Sequence, residues 1–387
     1  MQEADSNNGQ TLKKTPKIDA INIKKISFEL SSKIMNKKII CGIQQIGIGN
    51  PDPPQAWKWY RKYFGMDIPV FDEAAVAGLM LPYTGGQPQE RHAVLAVNMQ
   101  GGGGFEIWQY TKRTPLFPEF EVQLGDLGIF IAKIKCRNID KAFDFFKSEN
   151  VSLNDTIQKD PAGKKFFFVK DPYKNIFQVE EFSDWFSNGK SLTGGPCGAV
   201  IGVSDIEKSI PFYSDILGYD KIEYDHTNVF EDFASLPGGN QKCRRILLSH
   251  SQPRKGAFSK LLGTSHIELI QVFERVPKKI FENRFWGDIG YIHLCFDICG
   301  MDMLRKECAE KGFPFTVDTG SSFDMGDAAG SFAYIEDPDG TLIEFVETHK
   351  VPVLKKLGIY FNLKKRNPEK PLPDWMVKTL SFNRVKD

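Results

Sequence analysis

An excess of charge of either sign is missing from this 387-residue chain, in which 50 Lys and Arg stand against 49 Asp and Glu for a formal net charge of +1. Without a basic surplus there is no electrostatic footprint for nucleic acid or an anionic membrane, and neither is expected as a partner. Long apolar runs are missing too. None approaches the roughly 18 residues that a membrane-crossing helix needs, and the polar stretch from Met1 to about Pro16 has no apolar core of the kind a secretory signal carries. Cysteine is sparse and unpatterned: seven residues with no CxxC pair, which argues against a disulfide framework or a zinc finger. Histidine is scarcer still, at six. The expectation is a soluble, cytoplasmic protein, monomer or homodimer, whose partner is a small-molecule substrate.

What is present is a globular composition, 41% hydrophobic, 26% charged and 12% aromatic. At about 150 residues per domain, two or three domains are expected, each large enough to bury a core. The ends read differently from the middle. Residues 1–38 are polar and aperiodic, a flexible extension; within them Met35 opens MNKKIICGIQQ, where a strand pattern begins, and is a candidate start of translation. Residues 349–387 form a basic extension whose two short amphipathic pieces flank a proline-containing turn, expected to pack along the domain surface.

Between the ends one pattern recurs four times. An alternating strand leads through an Asp-containing turn into an aromatic-rich helix: QIGIGNPD then QAWKWYRKYFGMD, and AVIGVSD then IEKSIPFYSDILGYD. Fainter copies are IFIAKIKCRNID then KAFDFFKSENVS, and IHLCFDI then CGMDMLRKECAEKGFP. In the third helix Ile210, Phe212, Tyr213 and Ile216 have the three- and four-residue spacing of one buried face. Strand-like segments follow each helix, and the last is apolar with one acid or amide: FEIWQY, NIFQVEEF, HIELIQVF and TLIEFVE. The unit is β-α-β-β-β, at about 39–110, 124–182, 196–273 and 288–348, and its copies start too far apart for a solenoid. The domains expected from this are 39–182 (modules one and two) and 196–348 (modules three and four), joined by a linker over 183–195.

VSDIEKSIPFYSDILGY and DPDGTLIEFVE make the chain resemble the vicinal oxygen chelate superfamily, which includes glyoxalases, bleomycin-resistance proteins and extradiol dioxygenases. The resemblance covers roughly residues 39–348. It implies an α+β fold in which β-α-β-β-β modules pair into two cupped mixed sheets. It also implies one divalent metal ion (Zn, Ni, Mn, Co, Fe or Mg), held by side chains on the first and last strand of each module. The first-strand positions here are Gln45, Phe130, Gly198 and His293; the last-strand positions are Glu106, Gln178, Glu268 and Glu344. Phe and Gly have no side-chain ligand atom, whereas Gln, Glu and His do. If neighbouring modules pair, Glu268, His293 and Glu344 share a cup. If the outer modules pair, one cup collects Gln45, Glu106, His293 and Glu344, and the other is left with Phe130, Gln178, Gly198 and Glu268. Because the first set reproduces that of glyoxalase enzymes, the resemblance implies the outer pairing and these four as the metal ligands.

The resemblance further implies a lyase or isomerase that moves a proton beside a metal-polarised carbonyl, with Glu344 as both ligand and base. Its enzyme alternative, an extradiol-type dioxygenase, needs two His and one carboxylate for Fe(II), and Gly198 stands at the place of the first His. Its non-enzyme alternative is a small-molecule-binding protein of the bleomycin-resistance type. The Arg and Asn offsets that hold glutathione in related enzymes fall on Gly49, Tyr110 and Ile289, which argues against glutathione as substrate. A burial argument made from the residues alone supports Glu344: Leu342 and Val346 share its face of the strand, and an ionised carboxylate among such neighbours needs a partner or a cation. Cys295 faces the same way as His293 and reads as a buried thiol. The run Gly101 to Gly104 precedes a strand, not a helix, and reads as a hairpin rather than a phosphate loop. The segment 321–330 reads as a lid over the cup or a long loop.

Overall fold

The structure is a computed structural model that describes residues 37–386 apart from 154, 155, 321, 322, 326, 327 and 355–358. The extension expected over 1–38 therefore lies outside the described residues except for its last two positions, as does the middle of the segment 321–330.

Four β-α-β-β-β modules follow one another. The first is β1 (Ile39–Gly49), α1 (Pro53–Phe64), β2 (Ile68–Val76), β3 (Glu90–Val97) and β4 (Gly104–Tyr110). The second is β5 (Gly128–Cys136), α2 (Ile139–Ser148), the short β6 (Ser152–Leu153) and β7 (Gln158–Lys159), β8 (Lys165–Lys170) and β9 (Ile176–Glu181). The third is β10 (Thr193–Gly202), α3 (Ile206–Pro211), β11 (Lys221–Asn228), β12 (Cys243–Ser249), a single turn α4 (Ser259–Leu262) and β13 (His266–Val272). The fourth is β14 (Gly290–Cys299), α5 (Met301–Glu310), the short β15 (Val317–Asp318) and β16 (Phe323–Met325), β17 (Ala328–Glu336) and β18 (Leu342–Leu354). The C-terminal extension adds β19 (Ile359–Asn362) and α6 (Asp374–Lys378).

Three of the four strand-to-helix turns carry a side-chain cap, and the fourth helix starts at Gly300 without one. Asp52 caps α1 by accepting from the Gln55 N–H at 3.2 Å, with prolines in the first turn where no donor is needed. Gly65 ends that helix in the left-handed conformation, at φ 61°. Asn138 and Asp205 cap α2 and α3 in the same way.

The sheets are built from the outer and the inner modules. One runs β15-β17-β18-β14-β1-β4-β3-β2, combining modules four and one; the other runs β11-β12-β13-β10-β5-β9-β8-β6, combining modules three and two. The stretches 39–182 and 196–348 thus each give one module to each sheet. Within each stretch the modules are tied by a buried tyrosine: Tyr60 of α1 donates to Asp171 at 2.6 Å, and Tyr213 donates to Asp337 at 2.8 Å. Both acceptors are the Asp of an Asp-Pro turn, so this turn docks a neighbouring helix as well as closing a hairpin. The main core lies where the helices meet the two sheets, with Tyr60, Phe64, Phe105, Phe177, Tyr213 and Phe345 in one continuous cluster.

Gly101 to Gly104 connect β3 to β4 as a hairpin, and it is buried. A side chain on Gly102 would collide with the Gly195 backbone of the other sheet, which explains the glycine there. Among the described residues no helix is long and apolar enough to cross a membrane.

Candidate metal centre

Register at the middle of the first sheet determines which side chains meet. The parallel pairing of β1 with β4 places Gly47 beside Glu106, and that of β14 with β18 places Cys295 beside Glu344. The antiparallel pairing of β1 with β14 then sets Gln45 across from Cys295 and Gly47 across from His293. Four adjacent strands thus direct Gln45, Glu106, His293 and Glu344 to one spot, all four buried. His293 Nε2 lies 3.0 Å from Glu344 Oε2 and 3.4 Å from Glu106 Oε2. Gln45 Nε2 lies 3.4 Å from the same Glu106 oxygen and 3.3 Å from the same Glu344 oxygen. Ligand atoms of Glu106, His293 and Glu344 fall within 4.8 Å of one another.

Two buried carboxylates this close repel when both are ionised. Burial, and then the charge of Glu344, push Glu106 up to about 7. Burial alone pulls the His293 imidazole down, but Glu344 and Glu106 outweigh it and leave it above the ordinary histidine value. The polar atoms are under-satisfied: Gln45 Oε1 and both His293 ring nitrogens have no well-aligned hydrogen-bond partner. Burial, and then the charge of Glu344, push the Cys295 thiol well up.

Several residues that hold this cluster carried no signal in the sequence reading. Trp286 stacks near the His293 ring with centroids 6.4 Å apart, and Tyr334 meets its edge at 5.5 Å. A Cβ on Gly47 would run into the His293 imidazole, so the glycine makes room for the ring. The alternation Gln45-Ile46-Gly47 was the available hint, since it sets Gly47 on the face of Gln45. The indole N–H groups of Trp108 and Trp286 are buried with no partner among the described residues.

The cluster sits at the bottom of a cavity of about 590 Å³, lined by Gln45, Glu106, Trp108, Trp286, Tyr334 and Glu344 among others. The size is that of a small-molecule site.

Among the described residues the second sheet holds no such cluster. Its parallel registers place Val200 beside Glu268 and Lys133 beside Gln178. Glu268 therefore corresponds to Glu106, Gly198 to Gln45, Gln178 to Glu344 and Lys133 to Cys295. Ile131, rather than the neighbouring Phe130, occupies the place of His293. The charge of Glu268 is met by the protein itself: Lys133 Nζ at 2.6 Å, the Arg245 guanidinium, and the Tyr224 hydroxyl at 2.6 Å. Against the effect of burial, Arg245 and Lys133 hold Glu268 down at about 2.

A family model described as Glyoxalase/Bleomycin resistance protein/Dioxygenase superfamily matches residues 42–179 and 198–345. Among solved structures, glyoxalase I from Zea mays superposes with a TM-score of 0.50 at 15% identity, covering 80% of this chain and 92% of its own. A putative dioxygenase from Bacillus subtilis superposes with a TM-score of 0.53 at 11% identity, covering 90% of this chain and 98% of its own. At such identities the likeness is one of fold. No curated protein matches the sequence.

Proposed function

Starting from a chain that belongs to the glyoxalase/bleomycin resistance protein/dioxygenase superfamily, we propose that it is a divalent-metal-dependent lyase or isomerase acting on a small carbonyl compound other than a glutathione adduct. The carrying observation is the buried set of two carboxylates, one imidazole and one amide at the bottom of the cavity. Carboxylates that repel one another in a dry site need a cation or a proton between them, and this donor set, with no thiolate, suits a hard or borderline divalent ion. Glu106, His293 and Glu344 are the proposed ligands with Gln45 as the fourth; a half-turn of its amide exchanges Nε2 for the unpartnered Oε1.

Bound there, a divalent ion supplies the Lewis acidity that polarises a carbonyl or enediolate oxygen. The chain supplies the rest. Glu344 takes the proton from the carbon next to the carbonyl and returns it to the neighbouring atom. Trp286 and Tyr334 hold the His293 ring. Tyr334 stays a neutral phenol because burial and the charges of Glu344 and Glu106 push its pKa well up, so it remains a donor. A dioxygenase with two His ligands is less well supported, since the cluster holds one.

The deciding experiment is a screen of 2-oxo aldehydes, 2-hydroxy thioesters and catechols against protein loaded with each ion in turn. Turnover of a carbonyl compound that chelation abolishes and added metal restores is the expected result. Tight metal uptake with turnover of none of them would favour a binding protein.

Metal analysis should give about one ion per chain, since the second cup holds its own cations. Uptake should weaken as pH falls below about 7, because Glu106 and His293 must release protons to ligate. The stability of the metal-free protein should run the other way. Both groups have folded pKa values above their unfolded ones. Their contribution is thus fullest below the unfolded values and is lost as pH rises through the folded ones, which for Glu106 is about 7. Thermal melts from pH 5 to 8, with and without metal, test both signs; a metal-free melting temperature that climbs across pH 7 contradicts the assignment.

Gly47→Ala should displace the His293 ring and weaken metal binding about 10–100-fold, the usual cost of disturbing a ligand's support, with the far-UV spectrum unchanged. Titration with a fluorescent metal competitor reads the effect, and an unchanged affinity would show that the ring does not need the clearance.

A further inference from the structure

The C-terminal extension was expected on the domain surface, yet it reaches the cavity. Leu372, Met376, Val377, Thr379, Leu380 and Asn383 all line the space above Glu106 and Glu344. The segment is fastened at both ends. At one, the Leu372 N–H donates to the Ala257 carbonyl at 2.8 Å, and Lys255 and Lys260 pair with Glu369 and Asp374 at 3.0 and 2.8 Å. At the other, the Val385 N–H donates to the Asp67 carbonyl at 2.8 Å and Arg384 pairs with the Asp67 carboxylate. Leu372 and Val377 are buried in a satellite core with Ile68, Val97 and Leu261. The segment thus bridges module one and module three and forms a wall that neither contributes alone.

Next to this wall, β2 and the turn after it present Val70, Val76 and Leu79 to the same cavity, 46%, 61% and 46% exposed. The lining is mainly aliphatic and aromatic, with Gln45, Glu106 and Glu344 gathered at the metal cluster and Asp72, Glu73 and Arg91 as the other charged groups, which describes a ligand with two unlike ends.

We propose that Met376 and Leu380 are specificity-determining residues, and that the site takes a compound with an oxygen-chelating head on the metal and an unbranched apolar body lying along the wall that β2 and the C-terminal segment form together. The proposal rests on the metal-site reading for the head, and on the cavity wall alone for the body. Both residues lie outside the stretches that match the superfamily, 42–179 and 198–345, so the body's selection is a property of this chain's own extension.

The test uses the full chain loaded with zinc and a series of straight-chain hydroxamates from acetyl to octanoyl, followed by tryptophan fluorescence, since Trp108 and Trp286 line the cavity. Each methylene that enters an apolar wall is worth about fourfold in affinity; even at half that benefit, octanohydroxamate should bind at least 50-fold tighter than acetohydroxamate. In Met376→Trp and Leu380→Trp, which fill the space, this gain should shrink at least tenfold while acetohydroxamate binds as before. The same lengths of straight-chain alcohol are titrated into the metal-free protein, so the wall is read without the metal site. A length dependence that the two variants abolish supports the proposal even where acetohydroxamate fails to bind, an outcome that removes only the metal reading. Affinity independent of chain length in both series, or a length dependence that neither variant alters, overturns it.

Discussion

Replacing Glu344 by Gln is expected to lower turnover by 10²–10⁴-fold, the range a positioned general base contributes, on whichever carbonyl substrate the screen identifies. The amide is nearly the same size and keeps an oxygen donor, so the fold should survive and metal should bind, though more weakly. Two facts of geometry make this a sharp test. Glu344 and Glu106 approach the same His293 nitrogen and the same Gln45 amide, so either is placed to move a proton near the metal. Glu106, held at about 7, is suited by proton affinity, whereas the strand position of Glu344 matches the base of glyoxalases. Glu106→Gln is the control. With metal occupancy matched by isotope or absorbance analysis, kcat should fall much further for Glu344→Gln than for Glu106→Gln. The reverse order would assign the proton transfer to Glu106, and full activity of Glu344→Gln would leave Glu344 at most a ligand.

The second large effect lies away from the chemistry. Glu268→Gln should destabilise the fold by about 3–5 kcal/mol, the usual cost of removing one partner from a buried ion pair, because Lys133 then loses its carboxylate partner in a desolvated site and Arg245 keeps only Asp232. Urea unfolding measures it, and a loss under about 1 kcal/mol would mean that water or another carboxylate reaches these cations. Replacing the network together, with Lys133→Met, Arg245→Met, Glu268→Met and Asp232→Asn for the other carboxylate on Arg245, should recover most of the loss, since an apolar set of similar volume often equals a buried ion network. The sign of the pH dependence follows. Glu268 is held below its unfolded value, at about 2; its contribution is present above about 4.5 and disappears as pH falls through about 2. Metal content should not change in any of these variants, which separates the second cup from the first.

The four modules are legible in the sequence because their causes are local. Strand alternation, the capping residues Asp52, Asn138 and Asp205, and the apolar face of each helix act within a few residues of one another. Gln45, Glu106, His293 and Glu344 could each be located for the same reason, as one polar side chain at a fixed place on an apolar strand. That they share a cup was not legible in the residues themselves; only the resemblance favoured the outer pairing that joins them. Pairing β1 with β14 joins residues some 250 positions apart, and no short-range preference distinguishes that partner from a neighbouring module; burial of whole sheet faces decides it. Register also decided what parity could not: Ile131, not Phe130, corresponds to His293, because a one-residue difference changes which side chain enters the cup. Lys133 and Arg245 looked like ordinary strand cations in the sequence, and only their approach to Glu268 from two other strands shows why that cup is filled by the protein. The C-terminal extension is the extreme case. Its composition is that of a basic tail, and its place as a wall of the cavity comes from contacts to Asp67 and Ala257, hundreds of residues upstream in one case and over a hundred in the other, which exist only once both sheets have formed.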